Sequence, residues 1–85
     1  MPMIKLFANL RKVAGAKEVS ITGASLGEVV SELVKRYPAL AESLLADGKI
    51  RPHVILTING NPIADVNVAV TEADQIAIFP PIAGG

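Results

Sequence analysis

The sequence predicts an α+β fold in which one mixed β-sheet packs one face against a single main helix. The 85 residues are enough for one small domain. Stretches in which apolar residues alternate lie on both sides of a central amphipathic stretch. Hydrophobic residues make up 51% of the chain and charged residues 19%, which is typical of folded chains. We expect residues 1–79 to form the domain and residues 80–85 to form a flexible C-terminal tail.

The N-terminal part of the sequence predicts two strands joined by a helical turn. Apolar residues alternate with other residues in the segment 3–9, which indicates a half-buried strand. Residues 10–15 are short, basic and closed by a glycine, so they suit one helical turn. Residues 18–22 alternate again and predict a second strand, which forms a hairpin with the first.

Residues 25–37 carry the clearest helix signals. Ser25 is a favourable N-cap and Glu28 follows three residues later, which is the pattern of a capping box. Apolar residues recur at helical spacing along one face, namely Leu26, Val29, Val30, Leu33, Val34 and Tyr37. Pro38 ends this helix, because the residue before a proline is disfavoured in the helical conformation. Residues 39–46 then predict a short second helix.

The C-terminal half of the sequence predicts further strands. Residues 53–59 form a near-continuous apolar run, which is typical of a central strand, and an Asn-Gly hairpin turn follows. Apolar residues in the segment 63–70 predict one or two short strand pieces. Residues 75–79 predict the last strand, which two prolines end. Because a helix connects the two groups of strands, we expect the last strand to run parallel beside the first.

The phases of the strands place two phenylalanines together. Phe7 is out of phase with the apolar residues of the first strand that face the helix, and Phe79 is out of phase with those of the last strand. If these strands are neighbours, both rings lie on the open face of the sheet. Contiguous exposed apolar surface usually marks an interface, so we interpret the pair as a docking patch. The alternative is that a loop covers one or both rings as ordinary core.

The composition excludes several classes of function. The chain has no cysteine, so it has no disulfide, thiolate metal site or cysteine nucleophile, and the single histidine, His53, cannot form a metal cluster alone. Eight basic and eight acidic residues cancel, and only 4% of the residues are aromatic, which argues against nucleic-acid binding. Neither a signal peptide nor a membrane-length apolar run is visible. We therefore expect a soluble cytoplasmic domain.

The sequence ends in Gly84-Gly85, shortly after a proline pair. The segment from Pro80 to Gly85 can reach roughly 20 Å from the domain. Because glycine has no side chain, this end can thread a narrow channel, and its reactive group is the α-carboxylate of Gly85. Once the carboxylate is activated, for example as an acyl-adenylate made with ATP, sulfur or an amine can attack it. The alternative is that the two glycines are simply frayed.

The ending IAIFPPIAGG and the opening IKLFANLRKVAG resemble the MoaD family, the small sulfur-carrier subunit of molybdopterin synthase. The resemblance covers essentially the whole chain, and it extends to the wider ubiquitin-like group, whose β-grasp fold agrees with the α+β layout. It implies that a MoeB-like adenylating enzyme activates the terminal glycine with ATP and Mg. A sulfur donor of the cysteine desulfurase or rhodanese type then forms a thiocarboxylate. The tail enters the MoaE-like large subunit within a heterotetramer and supplies the dithiolene sulfur of molybdopterin.

The resemblance also implies roles for individual residues. Gly85 carries the sulfur, and Gly84 is its required neighbour. The residues that contact partner proteins are Phe7, Arg11, Ile63, Phe79, Pro80 and Pro81. By the same resemblance the chain is a carrier subunit and not an enzyme, it binds no cofactor or metal itself, and it has neither a nucleic-acid nor a membrane partner.

Three alternatives to the molybdenum pathway stay open. In the first alternative the chain is a sulfur carrier for thiamine synthesis or tRNA thiolation. In the second it is a ubiquitin-like modifier joined to lysines through Gly85. In the third it is a binding module in which the two glycines have no role. Two departures from the family pattern, in the turn at 72–74 and in residues 64–69, leave the subfamily open, and the sequence does not distinguish molybdenum from tungsten. Asp65 and Asp74 are interpreted as turn residues.

Overall fold

In the computed structural model, the described residues, 2–52 and 54–80, form three helices and seven strands. The helices are α1 (Asn9–Ala14), α2 (Leu26–Arg36) and α3 (Leu40–Leu44). The strands are β1 (Met3–Leu6), β2 (Glu18–Ser20), β3 (Leu45–Ala46), β4 (Lys49–Ile50), β5 (Ile55–Ile58), β6 (Asn61–Pro62) and β7 (Gln75–Phe79). His53 and the predicted tail beyond Pro80 lie outside the described residues. In the described part of the chain, no helix has the length and apolar character needed to cross a membrane.

The main sheet has five strands in the order β2-β1-β7-β5-β6. β1 runs parallel to β7, with Ile4 opposite Ile76 and Leu6 opposite Ile78. β2 is antiparallel to β1, and β5 is antiparallel to both β6 and β7. The α+β fold class and the parallel pairing of the first and last strands are therefore confirmed. A separate pair, β3 with β4, forms a small antiparallel hairpin.

The main helix, α2, begins where the capping signals predict. The Ser25 hydroxyl oxygen accepts a hydrogen bond from the Glu28 N–H at 3.2 Å, and the hydroxyl lies 3.3 Å from Glu28 Oε2. This arrangement satisfies an N–H that has no partner within the helix. The helix packs its apolar face onto the sheet and forms one core with it. The core residues with no exposed surface are Ile4, Leu6, Leu10, Leu26, Val29, Leu33, Leu40, Leu44, Ile76 and Ile78.

The segment 64–70 crosses the start of α2 and does not extend the sheet. The N–H of Gly27 donates to the carbonyl oxygen of Val66 at 2.8 Å, and a Cβ on Gly27 would lie 3.2 Å from the same oxygen. The prediction of one or two strand pieces here is wrong, because Ala69 makes only an isolated bridge with Ser25. The first N–H groups of a helix need acceptors from outside it, and this segment supplies them.

The second helix is shorter than predicted. α3 ends at Leu44, and the next residues form the hairpin of β3 and β4. Asp47 and Gly48 make its turn with φ angles of 54° and 77°. Two consecutive residues with positive φ are the requirement of a type I′ hairpin turn, which Asp-Gly favours. The sequence analysis correctly ends the helical run before this pair but misses the hairpin that the pair closes.

Asp74 holds the turn that precedes β7. Its Oδ2 accepts a hydrogen bond from the Thr71 N–H at 2.8 Å, and its Oδ1 accepts one from Asn59 Nδ2 at 2.9 Å. The hydrogen bond from the Thr71 backbone, followed by that from Asn59, lowers the pKa of Asp74 from its usual value of 3.8. Asp65 likewise accepts from the Asn67 N–H at 2.8 Å. The interpretation of Asp65 and Asp74 as turn residues is confirmed.

The lowered pKa of Asp74 predicts a dependence of stability on pH. Because the pKa is lower in the folded than in the unfolded chain, the stabilisation is present above the usual value and is lost as the pH falls through the lowered value. We expect Asp74→Asn to be less stable than the wild type near neutral pH and to converge with it in acid. Urea unfolding from about pH 6 to about pH 2 measures the difference.

A control variant separates this effect from general acid unfolding. Glu42→Gln removes an exposed carboxylate of α3, and its difference from the wild type should stay nearly constant over the same pH range. A difference between Asp74→Asn and the wild type that is unchanged by pH would contradict the prediction.

Candidate functional site

Two aromatic rings lie side by side at the end of the central strands. Phe7 directly follows β1 and Phe79 ends β7, and the parallel register of the two strands brings both residues to the same end of the sheet. The ring centroids are 4.4 Å apart and the ring planes are inclined by 16°, which is a stacked arrangement. Both side chains are half-buried and lie outside the buried core. The prediction that the two rings lie close together is confirmed.

Arg11 lies over this pair. Its guanidinium carbon is 5.3 Å from the centroid of the Phe7 ring, which is within the range of a cation–π contact. Its Nε donates a hydrogen bond to the carbonyl oxygen of Leu6 at 2.8 Å. These two contacts fix the guanidinium while its terminal nitrogens pair with no carboxylate of residues 2–52 and 54–80. The structure therefore brings together three of the residues that the sequence analysis selects.

The turn between β1 and α1 has an unusual backbone. Ala8 has a φ of 53° and a ψ of −133°, a conformation that glycine adopts far more readily than alanine. The carbonyl oxygens of Phe7 and Ala8 accept hydrogen bonds from the N–H groups of Leu10 and Arg11. This turn leads directly into α1, in which Arg11 places its guanidinium over the Phe7 ring.

Ile55 is an exposed apolar residue beside the half-buried Phe79 ring. It lies opposite Phe79 in the pairing of β5 with β7, and directly opposed residues point to the same face of a sheet. Its side chain is 52% exposed. The apolar run 53–59 predicts a central strand, and this is confirmed because β5 lies between β7 and β6 in the sheet, although Ile55 at its start is exposed. Among the described residues, β6 pairs with Thr57 and Ile58, and its pairing does not reach Ile55.

The remaining predicted contact residues lie in different places. Ile63 follows β6, donates its N–H to the carbonyl oxygen of Leu56 at 2.8 Å and packs, partly buried, against the core. It borders a shallow groove that Ile55 also borders, but it is not brought to the two rings. Pro80 directly follows Phe79 and is half-buried. Pro81, Gly84 and Gly85 lie outside the described residues, and the roles of all these residues stay predictions.

Other features of the described chain are less suited to chemistry. A broader groove runs between the first turns of α2, the β3–β4 hairpin and the segment 64–72, and none of Phe7, Arg11, Ile55 and Phe79 borders it. Within residues 2–52 and 54–80, no group of histidine, aspartate and glutamate side chains is arranged to hold a metal ion. The apolar pair beside the end of β7 is therefore the best-defined candidate site.

A mixed sheet on one main helix, with the last strand at its centre, is the β-grasp arrangement of ubiquitin-like proteins, as the resemblance implies. The model of the ThiS family matches residues 4–85. The chain therefore belongs to the ThiS family of ubiquitin-like sulfur carriers. The resemblance to MoaD-type carriers is confirmed, because a molybdopterin synthase sulfur carrier subunit is among the similar proteins.

Three relatives with different names illustrate the range of the family. Small archaeal modifier protein 3 of Haloferax volcanii is 33% identical, over 96% of this chain and 96% of the relative. The sulfur carrier protein CysO of Mycobacterium tuberculosis is 31% identical, over 84% and 83% of the two chains. The molybdopterin synthase sulfur carrier subunit of Arabidopsis thaliana is 31% identical, over 96% and 80%.

The fold is also similar to that of solved structures. The solution structure of small archaeal modifier protein 1 from Methanosarcina acetivorans superposes with a TM-score of 0.90 and 31% identity, and it covers 99% of this chain and 95% of its own. The names of these relatives divide between sulfur carriers and small archaeal modifier proteins.

Proposed function

We propose that this chain is a sulfur carrier of molybdenum cofactor synthesis, loaded at Gly85 and docked through the surface around Phe7 and Phe79. The observation that carries the proposal is the position of the stacked pair. The rings lie where β7 ends, and only six residues, Pro80 to Gly85, separate Phe79 from the end of the sequence. A partner that binds the rings is therefore within roughly 20 Å of the Gly85 carboxylate.

The proposed chemistry takes place on the carboxylate of Gly85. In a MoeB-like adenylating enzyme, a carboxylate oxygen attacks the α-phosphorus of ATP, and pyrophosphate leaves. Hydrosulfide, which a thiol reductant releases from the persulfide of a sulfur donor as the thiol becomes a disulfide, then attacks the acyl carbon, AMP leaves, and a thiocarboxylate results. In a MoaE-like large subunit, the sulfur attacks a carbon of the cyclic pterin precursor and displaces an oxygen leaving group from that carbon, which forms a thioester. Water cleaves the bond between the acyl carbon and sulfur, which leaves the sulfur on the pterin and restores the carboxylate.

The chain supplies the carried group and the docking surface in this scheme, and its partners supply the catalytic groups. The two rings offer apolar area that is already ordered, since they stack on each other at 4.4 Å. Aromatic side chains that are fixed before binding lose little conformational entropy in the complex, which favours association.

Mass spectrometry tests the loading step. The protein is incubated with ATP, Mg, a MoeB-like enzyme and sulfide, and the intact mass is measured. We expect a gain of about 16 Da, since one oxygen is replaced by sulfur, and fragmentation should place it at Gly85. Omitting ATP should prevent the gain. An unchanged mass with the complete mixture would contradict the carrier function.

A second measurement separates the molybdenum pathway from other sulfur pathways. The thiocarboxylate form is mixed with a MoaE-like subunit and the cyclic pterin precursor, and the transfer of sulfur to the pterin is followed. Transfer supports the molybdenum role. A charged carrier that does not transfer its sulfur to this precursor belongs to thiamine synthesis, tRNA thiolation or another route.

Modification of proteins is a second candidate function, and the names of two similar proteins favour it. Both the Haloferax and the Methanosarcina proteins are called small archaeal modifier proteins. The adenylated Gly85 carboxylate would then be attacked by a lysine amine, with loss of AMP and formation of an isopeptide bond. Digestion of the cell proteome should reveal lysines that carry the C-terminal remnant of this chain. If the charged chain forms no such adducts, the modifier function is excluded.

A further inference from the structure

We propose that Asn59 is a site of spontaneous deamidation, that its contact with Asp74 controls the rate, and that the product destabilises the start of β7. Deamidation converts an asparagine into aspartate or isoaspartate without an enzyme. The proposal rests on the residue pair Asn59-Gly60 and on the hydrogen bonds that hold the Asn59 side chain. The reaction needs no partner protein, so it is independent of the proposed function.

The reaction takes place between the side chain of Asn59 and the backbone of the next residue. The Gly60 nitrogen attacks the side-chain amide carbon of Asn59, the amide nitrogen leaves as ammonia with the proton of the Gly60 N–H, and a five-membered succinimide forms. Water then opens the ring at one of its two carbonyl carbons, which gives aspartate or isoaspartate. A glycine favours ring closure, because no side chain hinders the attacking nitrogen.

Asn59 and Gly60 form the tight turn between β5 and β6, and both are exposed. Their φ angles are 51° and 86°. Two consecutive positive φ angles are typical of a type I′ turn, which the pair Asn-Gly favours. Water therefore reaches the pair in the folded protein, so the reaction is restrained by the position of the side chain and not by burial.

Both polar atoms of the Asn59 side chain are held by the segment that leads into β7. Nδ2 donates a hydrogen bond to Asp74 Oδ1 at 2.9 Å, and Oδ1 accepts one from the Gln75 N–H at 3.0 Å. We call these two hydrogen bonds the Asn59 clamp. The side-chain amide has to leave the clamp before its carbon can face the Gly60 nitrogen, so the clamp slows the reaction.

The product of the reaction breaks the clamp permanently. The aspartate product has a carboxylate oxygen where Nδ2 was the donor, so at neutral pH it has no proton to share with Asp74 Oδ1. Two carboxylates at this distance repel each other. The isoaspartate product also lengthens the main chain of a two-residue turn, and such a turn fixes the register of its hairpin. Because β7 is the middle strand of the sheet, we expect the modified domain to be less stable.

Mass spectrometry of peptides measures the rate of the reaction. The folded full chain is held in mildly alkaline buffer, and a gain of about 1 Da at Asn59 is followed with time. We expect Asp74→Ala to raise the rate at Asn59 by about fivefold or more, because Nδ2 loses its acceptor. Asn9 and Asn67, which precede larger residues, are slow internal references in the same chain. A rate at Asn59 of Asp74→Ala that is no higher than at these references would overturn the site.

Val19→Ala separates the clamp from overall stability. Val19 is buried on β2, which β1 and β7 separate from β5, so the substitution lowers stability without touching the clamp. The variants are compared under conditions in which circular dichroism shows that all are folded. We expect Val19→Ala to deamidate at Asn59 within about twofold of the wild-type rate. An equal rise in Val19→Ala and Asp74→Ala, or a wild-type rate in Asp74→Ala, would overturn the role of the clamp.

Asn59→Asp tests the effect of the product on the fold. We expect its melting temperature to fall by about 5 °C or more, because a charge-assisted hydrogen bond is replaced by repulsion. Asn61→Asp is the matched control, since it adds the same charge at an exposed position of the same hairpin. Its melting temperature should stay within about 2 °C of the wild-type value. Equal melting temperatures of Asn59→Asp and the wild type would overturn the effect on β7.

Discussion

Removing Gly85 is expected to abolish the sulfur-dependent gain of mass completely while leaving the stability of the domain unchanged. The carboxylate of Gly84 would then be the terminal group, one residue short of the position at which a partner's active site meets Gly85. One residue of extended chain is about 3.5 Å, and a displacement of this size separates reacting atoms that must approach within about 3.5 Å. To check this, the shortened chain is incubated with ATP, Mg, a MoeB-like enzyme and sulfide, as for the wild type, and its intact mass is measured.

Ala83→Ser provides the control for this deletion. The substitution changes the same tail but keeps both glycines, so it should still take up sulfur. The core and the sheet lie within the described residues before the tail, so both variants should unfold at the wild-type urea concentration. If the shortened chain takes up sulfur at the wild-type rate, Gly85 is not the residue that carries the sulfur.

Phe79→Glu is expected to weaken binding to the MoaE-like large subunit by about 100-fold or more. The substitution removes half of the stacked pair and would place a carboxylate in the proposed docking surface. Truncating a central aromatic residue of an interface typically costs about 2 kcal/mol or more, and an unpaired buried charge adds to this cost. Isothermal titration calorimetry of carrier against large subunit gives the change in Kd.

Gln75→Glu is the matched control for Phe79→Glu. It introduces the same charge on the same strand and face, but at the opposite end of β7. We expect its Kd to remain within about threefold of the wild-type value. Phe79→Glu should also lower the melting temperature by a few degrees, because losing a stacked aromatic pair costs about 0.5–1.5 kcal/mol. Unchanged binding by folded Phe79→Glu would show that the rings are not a docking patch.

Features that follow from the residue pattern of one segment, or from a general rule of strand connection, are predictable from the sequence. The period of the strands assigns Phe7 and Phe79 to one face, and a helical crossover makes β1 and β7 neighbours. The capping box at Ser25 likewise depends on residues only three positions apart. These local rules therefore predict the fold class, the main helix and the stacked pair of the candidate site.

Features that depend on two distant segments are not predictable in this way. The exposure of Ile55 follows from the shortness of β6, whose pairing with β5 does not reach Ile55. The segment 64–70 is irregular because the carbonyl oxygens of Val66 and Val68 accept hydrogen bonds from the first N–H groups of α2. The apolar residues of this segment suggest strands, but its carbonyl groups bond to the unpaired N–H groups at the start of α2 instead of to a neighbouring strand.

The central position of β7 has a consequence for how the chain folds during synthesis. β7 joins the β1–β2 pair to the β5–β6 pair, and its contacts with β1 span nearly the whole chain. Pairings of this kind are slow to form and require both segments to be available. A ribosome-bound chain therefore cannot complete its sheet until the residues just before the tail have emerged. Completion of the fold and synthesis of the C-terminal segment that we propose carries sulfur are thus linked in time.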